Sequence, residues 1–507
     1  MESLRTPQTT LDHSPTAADR SASLRQWIVV CSLVVFIKLG FLLLDPMPQF
    51  FQGDSNDYIA TSLTGQIFPI RSFTYGYLIA ILTRCGHSLT PLVLAQSIAG
   101  AATALLVYRV LRIHLHVAHR LALAAACLCA LDPMQLYYER AVMTETFSTF
   151  LFALSLDLAL GYARKPRLHK LVVLALICTA AITLRLNLLL ATLVFCFLPP
   201  LYLLATAALA FAEKDGPQTQ SRRPFPLHLR KHEFFKYLSH IAVLAACLYG
   251  LHYGYKQLNA RLSGSGIVAY MNSQWLLQLC GISSIIIPAD APDPRVADAI
   301  RACDPQMLRD REKRAHVLFK PYGLAARLQL AIPNDATREE LCKQTVKHAM
   351  LRAPLQVLLL GCNTWLDYFD NTMLDARILS DQGATADLPD AQLEILRERF
   401  MLAVPPDWGK LLTITKRLQF ALKYWNYALA VTPFIGAACL CLAWKRNPLA
   451  LLMVFFGAFA LLPATCVFTI PVLRYLHPFG FLLPIFLALL LDHIHKAATV
   501  GRASENP

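Results

Sequence analysis

The chain has 507 residues, 56% of them hydrophobic and only 16% charged, with a formal net charge of +14; soluble domains carry about 25% charged residues. The apolar residues stand in long blocks near the roughly 20 residues that cross a bilayer, which argues against a soluble fold, and no strand-length alternation repeats, which argues against a β-barrel. The positive charge lies in short loops between those blocks, where it orients spans, so no nucleic-acid partner is expected.

Residues 1–25 are polar, include Pro7 and Pro15, and read as a disordered cytoplasmic N-terminus. Ten apolar blocks follow, at about 26–45, 90–111, 120–136, 143–162, 171–184, 187–211, 238–255, 418–443, 449–470 and 477–495. No small-residue cleavage site follows the first, so it reads as an uncleaved span. The stretch 73–83 is apolar but short and reads as a helix on the membrane surface. With the N-terminus inside, the inner loops hold most of the basic residues, among them Arg164, Lys165, Arg167 and Lys170, then Lys214, Arg222, Arg223 and Lys236. That asymmetry closes with an even number of spans and both termini in the cytoplasm.

The expected architecture is an all-α polytopic membrane protein of about ten transmembrane helices, with outer-face juxtamembrane helices and an extracytoplasmic insert. Its parts are a transmembrane module at 26–255 with a first outer loop at 46–89, an extracytoplasmic segment at 256–417, C-terminal spans at 418–495 and a cytoplasmic tail at 496–507. Most of the fourteen cysteines lie inside apolar blocks and act as small hydrophobes. Cys280, Cys303, Cys342 and Cys362 fall in the long polar segment, where one or two disulfides are expected with the pairing left open. No metal-type spacing of His or Cys appears, and no metal is expected.

Two carboxylates, Asp54 and Asp57, sit one turn apart just beyond the first span, in Gly53-Asp54-Ser55-Asn56-Asp57-Tyr58-Ile59-Ala60. A helix starting near Ser55 gives Asp54 a plain role as N-cap; the competing role is general base. Arg71 precedes the surface helix. Glu145 opens the fourth span, where an acid suits a helix N-terminus. Arg185 lies between two apolar blocks, where charge is costly and tends to be functional, and Arg474 precedes the last span. Lys38 inside span 1 faces the bundle or snorkels. His87, His348 and His477 read as structural, and Tyr137 and Tyr138 as interfacial aromatics.

These residues carry a resemblance. Asp54, Tyr58 and Ala60, then Arg71-Ser72-Phe73-Thr74-Tyr75-Gly76-Tyr77, resemble the first outer loop of GT-C membrane glycosyltransferases, in the bacterial branch similar to protein mannosyltransferases and lipid A aminoarabinose transferases. The prolines of the second motif are absent. Met143-Thr144-Glu145-Thr146-Phe147, Leu184-Arg185-Leu186-Asn187 and Leu473-Arg474-Tyr475-Leu476-His477-Pro478 follow in the family's order. The resemblance covers the first half and the last three spans.

It implies a GT-C-like fold in a bacterial inner membrane. It also implies sugar transfer from a polyprenyl-phosphate donor to a glycan, lipid or protein acceptor, with no cofactor. Asp54 or Asp57 would be the catalytic base, and Arg71, Glu145, Arg185, Arg474 and Tyr58 would bind donor phosphate or substrate. The chemistry is coherent with one carboxylate: the leaving group is already a phosphate, so a base for the acceptor hydroxyl suffices, and arginines stabilise the departing charge. An O-antigen polymerase or ligase would instead centre on Arg and His of the late outer segment. A transporter or flippase would want polar, broken helices at mid-membrane, and a non-catalytic scaffold would tolerate loss of every acid named.

Overall fold

The computed structural model describes residues 17–51, 53–84, 86–212, 227–309, 317–318, 320–382, 390–404, 412–444, 447–463 and 471–505. The first module contains α1 (Ala17–Leu44), α2 (Asp54–Thr64), α3 (Phe73–Thr83), α4 (Thr90–Arg109), α5 (His119–Ala130), α6 (Pro133–Tyr138), α7 (Glu145–Arg164), α8 (Leu168–Leu184), α9 (Leu189–Ala212) and α10 (Leu227–Ser263). The middle segment contains α11 (Gln274–Gly281), α12 (Pro294–Arg301), α13 (Pro305–Arg309), α14 (Leu324–Ala331), α15 (Asp335–Arg352), α16 (Pro354–Asp367), α17 (Asn371–Asp381), α18 (Asp390–Phe400) and α19 (Ile414–Ala421). The last helices are α20 (Trp425–Ala443), α21 (Pro448–Phe459) and α22 (Leu482–Glu505). Among the described residues the only β-pairing is one isolated parallel bridge, Gln49 with Ala141.

Each of the ten apolar blocks contains a helix. Among the described residues, seven helices are long and apolar enough to cross a membrane, and His119–Ala130, Leu168–Leu184, Pro448–Phe459 and Phe73–Thr83 are shorter apolar helices. The chain is an integral membrane protein of all-α architecture. Its first helix begins at Ala17, ahead of the apolar block, so residues 17–25 are helical rather than part of a disordered tail. Residues 1–16, and the basic loop residues Lys214, Arg222 and Arg223, lie outside the described residues.

Without water to drive their association, membrane helices pack closely where residues are small. Gly436 lies against the Phe486 ring and Gly457 against Phe195; a Cβ at either would sit 2.6 or 2.5 Å from ring carbon. Gly100 of α4 makes room for a carboxylate: a Cβ there would fall 1.9 Å from Glu139 Oε1. Glu139 takes the Lys38 ammonium, so Lys38 faces the bundle and is buried. Arg140, fully buried, donates through Nε to the Asp45 carbonyl (2.6 Å) and through Nη1 to Ser97 Oγ (2.8 Å).

This polar layer sets the loop that follows α1. Gln49 N donates to Arg140 O (2.7 Å) and Val142 N to Gln49 O (2.8 Å). Ser55 Oγ donates to Val142 O (3.0 Å), which fixes the start of α2. Gly53 supplies the left-handed turn into that helix, with φ of 82°. The α2 and α3 helices close on each other at Gly76, whose Cβ position lies 2.5 Å from the Thr61 methyl. The Tyr58 and Tyr75 rings meet edge to face at 4.9 Å. Tyr75 Oη then donates to Gln96 Oε1 of α4 (2.6 Å).

Three sequence expectations are corrected here. Tyr137 and Tyr138 are fully buried, not interfacial: both hydroxyls donate to Asp381, to its carbonyl (2.8 Å) and its Oδ2 (3.2 Å) respectively. Buried tyrosines need such partners. Asp54 is not an N-cap: Gly53 holds that position and no side chain caps the helix. Cys280, Cys303, Cys342 and Cys362 all carry free thiols. The first three are buried in the apolar core shared by α11, α12 and α15, where they fill space, and Cys362 lies exposed on α16.

Candidate active site

A cavity of about 500 Å³ opens at the end of the helices where α1 gives way to α2. Asp54, Tyr58, Arg71, Glu145, Arg185 and Arg474 all line it. Their placement follows from local structure. Asp54 is the first residue of α2, Arg71 and Ser72 enter α3, Glu145 opens α7, Arg185 is the extended residue where α8 ends, and Arg474 sits in a single 3-10 turn before α22. Chain ends of helices expose backbone and side chains together, so five such ends meeting in one place create a polar cavity inside an apolar bundle.

The charges are paired. One Asp54 carboxylate oxygen receives Arg71 Nη2 and the other Arg474 Nη1. Arg71 Nε also lies 3.3 Å from Asp57 Oδ2. Arg185 Nη1 is 2.9 Å from Glu145 Oε1 and 3.5 Å from the Arg474 carbonyl. Arg185 and Arg474 flank the Tyr475 ring at 5.2 and 5.6 Å, and Arg474 lies 5.0 Å from the Phe51 centroid. These rings hold the guanidinium planes by cation–π contact. Tyr58 reaches the cavity wall under Asp54, and burial pushes its phenol above the ordinary range.

Burial alone would raise the Asp54 carboxyl, but Arg474 and Arg71 outweigh it, so its pKa lies below the ordinary value. Asp57, half-buried and outside the cavity lining, goes the other way. Burial raises it to about 6 against the pull of Arg71. The two acids one turn apart are thus separated by environment, the usual sign of divided roles.

Sequence reasoning missed several groups. Asp381, at the end of α17, is buried and accepts the Arg474 backbone N–H (3.1 Å) as well as the Tyr138 hydroxyl. Burial raises its carboxyl to about 7, with Arg474 pulling the other way. Lys256, near the end of α10, lines the cavity over the Tyr270 ring (4.8 Å) and makes no ion pair with another described residue. Gln274 and Gln278 of α11 complete that wall. None belongs to the motifs; the one signal was that Lys256 opens the long polar segment. Opposite them, Ile182, Leu184, Leu186, Leu189 and Leu190 form an apolar wall from α8 and α9. Among the described residues no three His, Cys, Asp or Glu side chains gather as a metal-ligand set. His477 bonds Thr149 Oγ1 (3.1 Å) and Gln135 Oε1 (2.8 Å), a structural role.

Residues 71–214 match the family model described as dolichyl-phosphate-mannose-protein mannosyltransferase. This stretch of the chain is therefore similar to a glycosyltransferase family of the kind its motifs resemble. It takes in Arg71, Glu145 and Arg185, while Asp54 and Arg474 lie outside it. Among solved structures, the archaeal oligosaccharyltransferase AglB from Archaeoglobus fulgidus, in complex with an inhibitory peptide and a dolichol-phosphate, is similar at 13% identity and a TM-score of 0.39. That alignment covers 97% of this chain and 52% of the other, so the chain spans about half the length of that structure. No curated relative matches the chain.

Proposed function

We propose that this protein is a membrane glycosyltransferase that moves a sugar, with inversion, from a polyprenyl-phosphate donor to an extracytoplasmic acceptor. The acceptor classes that fit are a lipid-linked glycan, lipid A or a protein. The observation that carries this reading is a single cavity in which the Asp54 carboxylate meets Arg71, Arg185 and Arg474 beside an apolar wall. The apolar wall suits the first isoprene units of the donor, and the arginines suit its phosphate.

Among the described residues, Arg71, Arg185, Arg474 and Lys256 line the cavity against Asp54 and Glu145, so the lining carries an excess of positive charge that suits an anionic phosphodiester donor.

In the transfer, the acceptor hydroxyl loses its proton to an Asp54 oxygen while its own oxygen attacks the anomeric carbon. The bond from that carbon to the phosphate oxygen breaks, and polyprenyl phosphate leaves with the electron pair. Arg474 serves both events. In the resting site it holds Asp54 ionised and weakly basic; as it turns to the phosphate, Asp54 loses a cationic partner and becomes the stronger base. Arg185 stabilises the charge that develops on the leaving phosphate. Asp57 and Asp381 position Arg71 and Arg474. No cofactor takes part. The cavity would face the outside of a bacterial inner membrane, with both termini cytoplasmic.

The test is turnover of purified protein on a panel of polyprenyl-phosphate sugars, with candidate acceptors present and release of polyprenyl phosphate as the readout. Release from at least one donor is expected. Transfer confined to pyrophosphate-linked oligosaccharides would move the reading to a polymerase or ligase, and donor transport without bond cleavage would move it to a flippase.

A further inference from the structure

The exposed face of α16 is more apolar than its buried face. Leu355, Leu358, Leu359 and Leu366 point outward at 67, 65, 53 and 55% exposure, and the exposed Cys362 sits among them. The spacing, three and four residues apart, makes one continuous stripe. The buried face carries Val357, Leu360, Gly361, Thr364 and Asp367. A helix on a water-exposed surface turns its polar side outward, so this helix is built for another medium.

Its attachment says which medium. Trp365 Nε1 donates to the Ala430 carbonyl at 3.2 Å, and its ring packs on Phe434 with centroids 5.1 Å apart. Both partners belong to α20, a helix long and apolar enough to span a membrane, whose first residue is Trp425. At 1.5 Å per residue, the contact lies roughly 8–13 Å inside the end of that span. Phe434 is itself 53% exposed, so α20 leaves this ring uncovered beside the Trp365 contact. Phe369, just past α16, lies 5.6 Å from the Tyr427 ring, nearer the span's end, where interfacial aromatics gather. The leucine stripe thus continues the lipid-facing surface of a transmembrane helix.

The flanks agree. Residues 353–366 contain no charged side chain. Arg352, immediately before them, is drawn away to Asp290 (Nε to Oδ1, 2.7 Å). So short a charge-free run cannot cross a bilayer, which takes about 20 residues, but it can lie within one leaflet.

We propose that α16 is embedded in the leaflet on the cavity side of the membrane, with acyl chains covering its leucine stripe. The segment 256–417 is then not wholly outside the membrane: it is pinned into the bilayer beside α20 while its remaining helices stand above. This does not depend on the transferase reading.

Cys362 provides the probe. The full-length protein, in phosphatidylcholine and phosphatidylglycerol liposomes, is labelled with a nitroxide, and the Cys362→Ser variant supplies the background from other thiols. Collision with oxygen, which concentrates in hydrocarbon, is expected to exceed collision with a water-soluble nickel chelate several-fold. Preferential collision with nickel would put the stripe in water and overturn the proposal. Protection from both, with label–label broadening that dilution by unlabelled protein removes, would put a second copy on the stripe and overturn it equally. If Cys362 resists labelling, Leu355→Cys on the same stripe gives the same reading.

Discussion

The two ends of the helix bundle use the same ion-pair chemistry in opposite ways. At one end Asp54, Glu145 and Arg185 are buried, and Arg474 partly so, around a cavity of about 500 Å³. At the other, a cavity of about 170 Å³ is lined by His114, His116, Arg164 and Asn447. There the Asp157 carboxylate takes Arg109 Nε (2.9 Å) and His114 Nε2 (3.2 Å), with Arg109 half exposed. Burying ions costs several kcal/mol each unless every one is paired, so ions gathered around an open cavity, unlike the packed Lys38–Glu139 pair, point to chemistry. Exposed basic residues cost little, and they suffice to orient the spans.

That contrast breaks first at the level of stability. Lys38→Met leaves the buried Glu139 carboxylate with only Gln135 Nε2 (3.0 Å) and the more distant Arg140 Nη1 (3.8 Å) and should cost about 3 kcal/mol, read as a large drop in thermal midpoint in detergent. Next, Arg474→Gln should lower kcat by roughly 10²–10³-fold, the usual effect of losing one donor to developing charge, while the variant stays folded by size exclusion.

A smaller effect separates the two acids of α2. Asp54 already lies below the ordinary carboxylate range, so the acid limb of activity should come from the raised groups, Asp57 near 6 and Asp381 near 7. Each is neutral below its pKa and loses its hold on its arginine there, so kcat/KM should rise with pH through 6 to 7. Asp57→Asn should remove the lower part of that limb and cost only a few-fold at neutral pH. The smallest effect belongs to the opposite end. Arg109→Gln removes the half-exposed partner of the buried Asp157 carboxylate, which keeps His114 Nε2 at 3.2 Å; it should lower the thermal midpoint less than Lys38→Met and leave the rate of sugar transfer unchanged.

The sequence made the helices legible because hydropathy is a local property: every apolar block contains a helix, and α3 fell on residues 73–83 as read. The cavity's first residues were legible for a different reason. Asp54, Arg71, Glu145, Arg185 and Arg474 all fall at ends of helices on one side of the predicted topology, so topology alone brings them near one another. Their partners were not legible, because pairing is decided in three dimensions. Nothing local links Lys38 to Glu139, or Asp381 to Tyr137, Tyr138 and Arg474. The tyrosines were misread for that reason: beside a span end they look interfacial until a carboxylate is found above them. The long polar segment also hid a boundary: Ala353-Pro354 separates α15 from α16, whose surfaces are opposite in character.

The central claim is that Asp54 takes the acceptor proton while the arginines take the phosphate. The most direct measurement compares wild type with Asp54→Asn, following single-turnover release of polyprenyl phosphate together with donor affinity. The account predicts a fall in release of about 10²-fold or more, with donor affinity kept or tightened, because Arg71 and Arg474 are freed for the phosphate. Unchanged release from a well-folded Asp54→Asn protein would contradict it and shift the base to another carboxylate, Asp57 or Glu145.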